Sequence, residues 1–310
     1  MNNEYSLKKI QNLLLNNKFY QRTEAWILLI FTSIVWGSSF MLMKKGLIAF
    51  SPEHVASMRL LIAGLVFVPF SYRIFKQLDN KTLLILLLAA VCGTGIPPFL
   101  FTYAQTVINS ATAGILNTLT PLWGLLLGVL FFNYKNTIFK TLGVLIGLGG
   151  ALLLIIFRTS GTLTLNYYGL LIILATILYA ISSHLVKRYL QSIKPLYITA
   201  CTFSFLMFPA GIYLILNFPT ETFMTNPDAT YSFVFIILLA LVNTSLVNIF
   251  FYRLLKISDA VFAQSCTYLM PVVALGWGIA DGETIGWMGI GGFVLIILGV
   301  YLILKPVKKR

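Results

Sequence analysis

Ten apolar stretches of about 20 residues each, parted by short polar or charged breaks, leave this chain few folds to choose from. They fall at roughly 25–43, 53–72, 82–104, 110–132, 139–157, 166–186, 195–217, 231–252, 259–280 and 285–304. Each is long enough to cross a bilayer as a helix, and little chain remains for a soluble domain. Charge is correspondingly scarce: 58% of the 310 residues are hydrophobic and 10% charged, where about a quarter is charged in ordinary soluble domains. The expected fold is therefore all-α, a polytopic membrane protein with ten transmembrane helices.

The first span follows a polar segment, 1–24, that carries Lys8, Lys9, Lys18 and Arg22. No small-residue cleavage pattern follows that span, so no signal peptide is expected. Leu7, Ile10 and Leu14 recur at helical spacing beside Lys8 and Lys9, which suits a short amphipathic helix on the membrane surface; a disordered tail fits equally. Cys92, Cys201 and Cys266 all fall inside spans, which argues against a disulfide framework or a metal cluster, and no cofactor is expected.

A net charge of +13 invites a nucleic-acid reading, but its distribution points elsewhere. With a cytoplasmic N-terminus, the inner segments hold eighteen of the 22 basic residues, ending with Lys305, Lys308, Lys309 and Arg310. The outer loops keep only Lys44, Lys45 and Arg158, and two of them carry acids without a base: Glu221 with Asp228, and Asp281 with Glu283. This is the positive-inside pattern, with both termini cytoplasmic and the charge available to anionic lipid headgroups rather than to phosphate backbones.

The chain also repeats itself. At a shift of 150, "NSATAGILNTLTP" (109–121) lies over "DAVFAQSCTYLMP" (259–271), so that Pro121 meets Pro271, and in the preceding span Phe101 meets Phe251 and Thr94 meets Thr244. At a shift of 143, "SIVWGSSFMLMKK" (33–45) meets "TILYAISSHLVKR" (176–188), and Pro52 meets Pro195. Two related halves follow. Each holds five spans, an odd number, so the second half enters the membrane with the opposite orientation and the repeats are inverted. The expected layout is a cytoplasmic tail (1–24), a first five-helix repeat (25–157), an outer linker (158–165), a second repeat (166–304) and a basic cytoplasmic tail (305–310).

A proline inside a span frees backbone carbonyls that lipid cannot satisfy, and is tolerated where neighbouring helices, hydroxyls or cavity water can. Pro121 and Pro271 each fall about twelve residues into their spans, near the depth where inverted-repeat carriers hold their solute, and are expected to act as hinges. "IVWGSSF" in span 1, the Pro121 and Pro271 spans, glycine-rich spans 5 and 10 and the five-plus-five layout together resemble the EamA-type branch of the drug/metabolite transporter superfamily, over about residues 25–304. The resemblance implies ten helices around a central cavity, spans 5 and 10 packed outside it, and outward movement of small organic solutes such as amino acids. One departure is that the acidic residue usual after the fourth span of each repeat is Glu283 in the second half but Asn133 in the first.

Six residues are expected to line the substrate cavity: Trp36, Arg59, Asn117, Tyr179, Gln264 and Tyr268. Arg59 is a charge well inside a span, which marks a pathway or a partner unless it snorkels to the outer face. Trp36 and Tyr179 fall at equivalent depths of the two repeats, each followed by a serine pair, Ser38 and Ser39 or Ser182 and Ser183; small hydroxyls there also permit close packing. Asn117 and Gln264 offer donors and acceptors to a polar solute, with interhelical bonding as the competing use. "CGTGIPPF" (92–99) and "NTSLVN" (243–248) suit a flexible or broken helix. His184, near the basic end of span 6, is expected to pack at the interface rather than to relay protons. The glycines of spans 5 and 10 offer smooth faces for helix contact, within a monomer or a homodimer.

No G-x-x-x-x-G-K-[ST] stretch is present to cradle a nucleotide, so transport would be secondary. Midplane carboxylates are lacking as well, which weakens an embedded proton relay. An intramembrane enzyme would need a nucleophile beside a base, paired acids or metal ligands, none of which the pattern supplies, and no catalytic residue is expected. The expected function is a secondary transporter of small metabolites; the alternatives are a flippase for a lipid-linked substrate and, behind it, an intramembrane enzyme.

Overall fold

The computed structural model describes residues 2–108, 110–158, 167–280 and 287–304. The expected linker beyond Arg158, the basic tail 305–310, and Asp281 and Glu283 lie outside the described residues. Helices dominate, and there is no strand among the described residues. In chain order they are α1 (Asn2–Gly46), α2 (Pro52–Phe75), α3 (Asn80–Ala90), α4 (Ile96–Gln105), α5 (Ser110–Asn117), α6 (Thr120–Phe131), α7 (Ile138–Arg158), α8 (Tyr168–Tyr189), α9 (Pro195–Leu216), α10 (Thr220–Thr225), α11 (Ala229–Ala240), α12 (Val247–Ile257), α13 (Ala260–Gln264), α14 (Cys266–Ala280) and α15 (Trp287–Leu304).

Their starts follow local chemistry. Ser51 caps α2 and is followed by Pro52 in its first turn, where a missing N–H costs nothing. Asp79 caps α3 through the Thr82 N–H at 3.3 Å, and Asp259 caps α13 through the Phe262 N–H at 3.0 Å. The polar N-terminal segment is not set apart: α1 runs unbroken from Asn2 to Gly46, and its apolar part is Tyr20–Gly46.

By length and composition, six helical stretches suit a membrane crossing: Tyr20–Gly46, Pro52–Tyr72, Asn80–Gln105, Tyr168–Tyr189, Pro195–Leu216 and Ala229–Ile257. Four shorter apolar stretches, Thr120–Phe131, Ile138–Leu153, Ala260–Val273 and Ile290–Leu304, fall where four further spans are expected. Among the described residues, six of the ten expected spans thus form helices of full crossing length and four are shorter. The expected fourth span is broken between α5 and α6 at Thr118–Leu119, and the ninth between α13 and α14 at Ser265. Large apolar side chains such as Ile27, Leu65, Leu84, Phe208 and Ile215 are more than half exposed on the outside, as a lipid-facing surface requires and a soluble one does not tolerate in such number.

Two helices widen midway. Val91–Gly95 joins α3 to α4, and Leu241–Leu246 joins α11 to α12, each as a π-helical turn. In these turns backbone N–H groups reach five residues back, from Ile96 to Val91 and from Val247 to Val242. Hydroxyls serve neighbouring carbonyls: Thr244 Oγ1 donates to Leu239 O at 2.8 Å and Ser245 Oγ to Ala240 O at 2.9 Å, while Thr94 Oγ1 donates to Ala90 O at 3.2 Å. The two turns stand 150 residues apart, at the sequence shift that superposes Thr94 on Thr244.

Packing is reciprocal. α1 lies against α11, α12 and α14 of the later part of the chain, and α8 against α3, α4 and α6 of the earlier part. α2 packs on α9, with Phe67 stacked on Phe203 at 5.9 Å, and α7 packs on α15 along glycines. A Cβ on Gly143 would fall 2.6 Å from the Gly299 carbonyl oxygen, and one on Gly150 2.8 Å from that of Gly292, so only glycine permits this approach. The smooth glycine faces thus meet each other within one chain.

Candidate solute cavity

The two π-turns and the two helix breaks all border one cavity of about 90 Å³. Thr94 and Thr244 reach it from the π-turns, Asn117 and Thr120 from the α5–α6 break, and Gln264 and Thr267 from the α13–α14 break. Irregular backbone survives at membrane depth only when it is buried in protein or lines a polar space. The volume is several times the ~10–15 Å³ that one water needs, and hydroxyl and amide groups are present to hold water or a polar solute.

One side of the wall is aromatic. Trp36 of α1 lies against Phe251 of α12 with ring centres 4.8 Å apart, and Tyr179 of α8 stacks on Phe101 of α4 at 6.1 Å. The two pairs are equivalent under the repeat, since Trp36 corresponds to Tyr179 and Phe101 to Phe251. Trp36 is fixed by its Nε1–H, which donates to Asn243 O at 3.0 Å, while Asn243 Nδ2 donates back to Val35 O. Ser39, Ser182 and Ser183 border the same space, with hydroxyls donating to backbone carbonyls: Ser39 to Trp36 at 2.6 Å, Ser182 to Ala89 at 2.7 Å and Ser183 to Tyr179 at 2.9 Å.

The polar side brings together Arg59, Asn117 and Gln264. Arg59 of α2 donates from Nε to Thr244 Oγ1. Asn117 donates from Nδ2 to the Met270 sulfur at 3.2 Å, and its backbone carbonyl accepts from Thr120 Oγ1 at 2.8 Å. Gln264 is 1% exposed, and neither of its amide atoms has a hydrogen-bond partner.

Five of the six residues expected on the wall therefore border the cavity: Trp36, Arg59, Asn117, Tyr179 and Gln264. Tyr268 does not. It is fully buried against Gly147 of α7 and its hydroxyl donates to Val144 O at 3.0 Å, so it ties α14 to the glycine seam instead. The expected hinge prolines also part company. Pro121 occupies the first turn of α6, just after the break, whereas Pro271 sits inside α14, six residues beyond the break at Ser265. His184 is buried, stacks on Phe132 at 4.9 Å and uses Nε2–H to reach Gly124 O at 2.6 Å. The sequence reading missed Phe101, Phe251 and Met270 as wall residues; the Phe101–Phe251 match at the 150-residue shift was the available signal.

The EamA-like transporter family matches this sequence twice, over residues 24–156 and again over 166–305. The chain belongs to that family. Relatives of this EamA-like chain include the "Uncharacterized inner membrane transporter YedA" of Escherichia coli K12, 30% identical over 88% of this chain and 91% of that protein. An "Uncharacterized transporter" of Archaeoglobus fulgidus is 25% identical over 92% and 99%, and the "Uncharacterized transporter YdfC" of Bacillus subtilis is 26% identical over 89% of each. A solved crystal structure at 15% identity superposes with a TM-score of 0.72, covering 91% of this chain and 96% of that one, which shows a shared fold. Family membership, transporter relatives and six apolar helices make the EamA-like chain a multi-pass membrane transporter.

Proposed function

We infer that this protein is a secondary carrier, an exporter of small organic metabolites such as amino acids, working by alternating exposure of the cavity to the two sides of the membrane. In this reading the ten apolar segments, six long and four short, all cross the bilayer as two inverted repeats. Both termini are cytoplasmic in a cell membrane of the bacterial inner-membrane type. The observation that carries it is the shared wall: α1, α2 and α4 to α6 of the first matched segment and α8 and α12 to α14 of the second close on one cavity with an aromatic and a polar side. Equivalent helices packed on each other, α2 on α9 and α7 on α15, support the inverted arrangement.

The charge asymmetry of the loops supports the orientation. Of the six residues that the sequence points to for substrate binding, cavity position supports Trp36, Arg59, Asn117, Tyr179 and Gln264, while the hydroxyl bond of Tyr268 to Val144 supports a packing role. Pro121 and the Ser265 break, with Pro271 beyond it, are the points about which α6 and α14 would swing.

Counterflow in proteoliposomes, with amino acids, sugars, nucleosides and organic acids as the panel, tests the reading. Saturable exchange of at least one class supports a carrier. Chemical conversion of a solute without flux, or movement of labelled lipid in place of any soluble compound, would replace the carrier by an enzyme or by a flippase.

A further inference from the structure

We propose that the transported solute carries an oxyanion, a carboxylate or a phosphate monoester, and that Arg59 is the group that recognises it. The proposal rests on the carrier reading and gives its substrate class.

Arg59 is the charged residue of the cavity wall, and no aspartate or glutamate borders the cavity among the described residues. The ion pairs seen among those residues, Lys140 with Asp259 and Arg253 with Glu24, do not involve it. Among the described residues the hydrogen bond that Arg59 makes, to Thr244, uses Nε and not the two Nη groups, the fork that fits an oxyanion edge-on. Thr244 is itself held, because its hydroxyl donates to Leu239 O in the π-turn. The guanidinium is therefore steered by a fixed neighbour, and that bond does not occupy the fork. An uncompensated cation at this depth is costly, and an anionic solute supplies the missing charge.

A second observation is independent of the charge. Gln264, 1% exposed and bordering the same cavity, has an amide nitrogen and an amide oxygen that are both unpartnered. Asn117 spends its N–H on a thioether sulfur, a weak acceptor. Buried amide groups left in this condition are expensive unless a ligand completes them. Two amides and a guanidinium offer donors to the anionic end of a solute, while the Trp36–Phe251 and Tyr179–Phe101 pairs offer apolar faces to its body. A solute with an amine and no acid group would meet an unneutralised cation and no carboxylate, so the wall discriminates against it, whereas an amino acid brings its own carboxylate to Arg59.

Matched acid and neutral probes decide the matter: benzoate against benzamide for a carboxylate, and glycerol 3-phosphate against glycerol for a phosphate. Each is measured by uptake into proteoliposomes and by the shift in melting temperature of the purified protein. Wild type is expected to favour one acid over its neutral partner by at least tenfold, and the pair that responds identifies the oxyanion. Arg59→Gln should raise the half-saturation concentration for that acid about 10- to 100-fold, and Arg59→Lys should recover part of it. The wild-type comparison stands even where a variant fails to fold. Equal handling of acid and neutral partner, equal loss of both in Arg59→Gln, or no melting shift with any oxyanion overturns the proposal. Acid-specific stabilisation that depends on Arg59 but comes with no flux keeps the anion site and sinks the carrier reading; flux confined to neutral solutes does the reverse.

Discussion

Gly124 shows how one missing side chain shapes the cavity. Its carbonyl oxygen accepts from His184, and a Cβ there would overlap the Gln264 amide, lying 2.7 Å from its Cδ. The obstacle is the far end of a flexible side chain, so Gly124→Ala is expected to fold with a loss below about 1 kcal/mol. It should nevertheless turn the amide away and raise the half-saturation concentration of the solute about fivefold, roughly one neutral hydrogen bond. Unfolding midpoints beside uptake curves check the split; a variant that loses stability while keeping its affinity would place Gln264 in packing instead. Outside the membrane-spanning stretches, Asp79 is held below its ordinary carboxylate range by the Thr82 hydroxyl and then the Thr82 N–H. A depressed folded value means that its cap stabilises α3 above the ordinary pKa of about 3.9 and is lost as pH falls through the lower folded value. Hydrogen exchange in the first turn of α3 should therefore rise on acidification below about pH 4, and Asp79→Asn should abolish that dependence. Asn117 and Gln264 were legible from composition because amides beside a proline in an apolar span need a polar space. Tyr268 was not, because its direction depends on the turn at Ser265, where the Tyr268 N–H bonds Ser265 O at 3.0 Å and resets the face that α14 presents.

Between elements, polar contacts knit the ends of helices that the repeats set side by side. Lys140, near the start of α7, reaches Asp259 at the cap of α13 over 2.9 Å, and Tyr134 donates to the same carboxylate at 2.9 Å. Burial, with Asp259 beside it, holds the Tyr134 phenol protonated well above its ordinary range. Lys140 and Asp259 are 12% and 29% exposed, so the pair is partly shielded. Lys140→Met should cost about 1–3 kcal/mol, more than a surface pair and less than a fully buried one. A double-mutant cycle with Asp259→Asn, read by chemical unfolding in detergent, should show coupling; additive losses would mean that the contact carries no energy of its own. That contact could not be read from the chain, since Lys140 and Asp259 lie 119 residues apart with no periodicity linking them. The glycine seam of α7 and α15 was readable, because small residues at helical spacing announce close approach. The two helix breaks were readable in existence but not in register: a proline marks a weak point, and the surrounding hydroxyls and packing decide on which residue the chain gives way.

Across the whole molecule the two matched segments are interleaved, since each contributes a helix, α1 or α8, that packs against the other segment. A swing of one segment relative to the other therefore moves both walls of the cavity. With native cysteines replaced, Ser39→Cys should react with a membrane-impermeant thiol reagent from one face in the absence of solute and from the opposite face when the gradient is reversed; labelling from a single face under every condition would exclude alternating exposure. The shift that aligns the sequence with itself also aligns the two π-turns, and that coincidence limits how the chain can vary. A π-turn is one residue more than an α-helix needs, and each residue advances a helix by about 100°. Deleting one position within Val91–Gly95 or Leu241–Leu246 would close the wide turn into a regular one and leave Phe101, or Phe251, on the face it already presents, whereas the same deletion in a regular stretch turns everything beyond it by about 100°. The surplus residue is thus absorbed where it stands, and a one-residue deletion is expected to be tolerated in these two turns sooner than elsewhere in either helix, at the expense of the cavity-facing positions of Thr94 and Thr244.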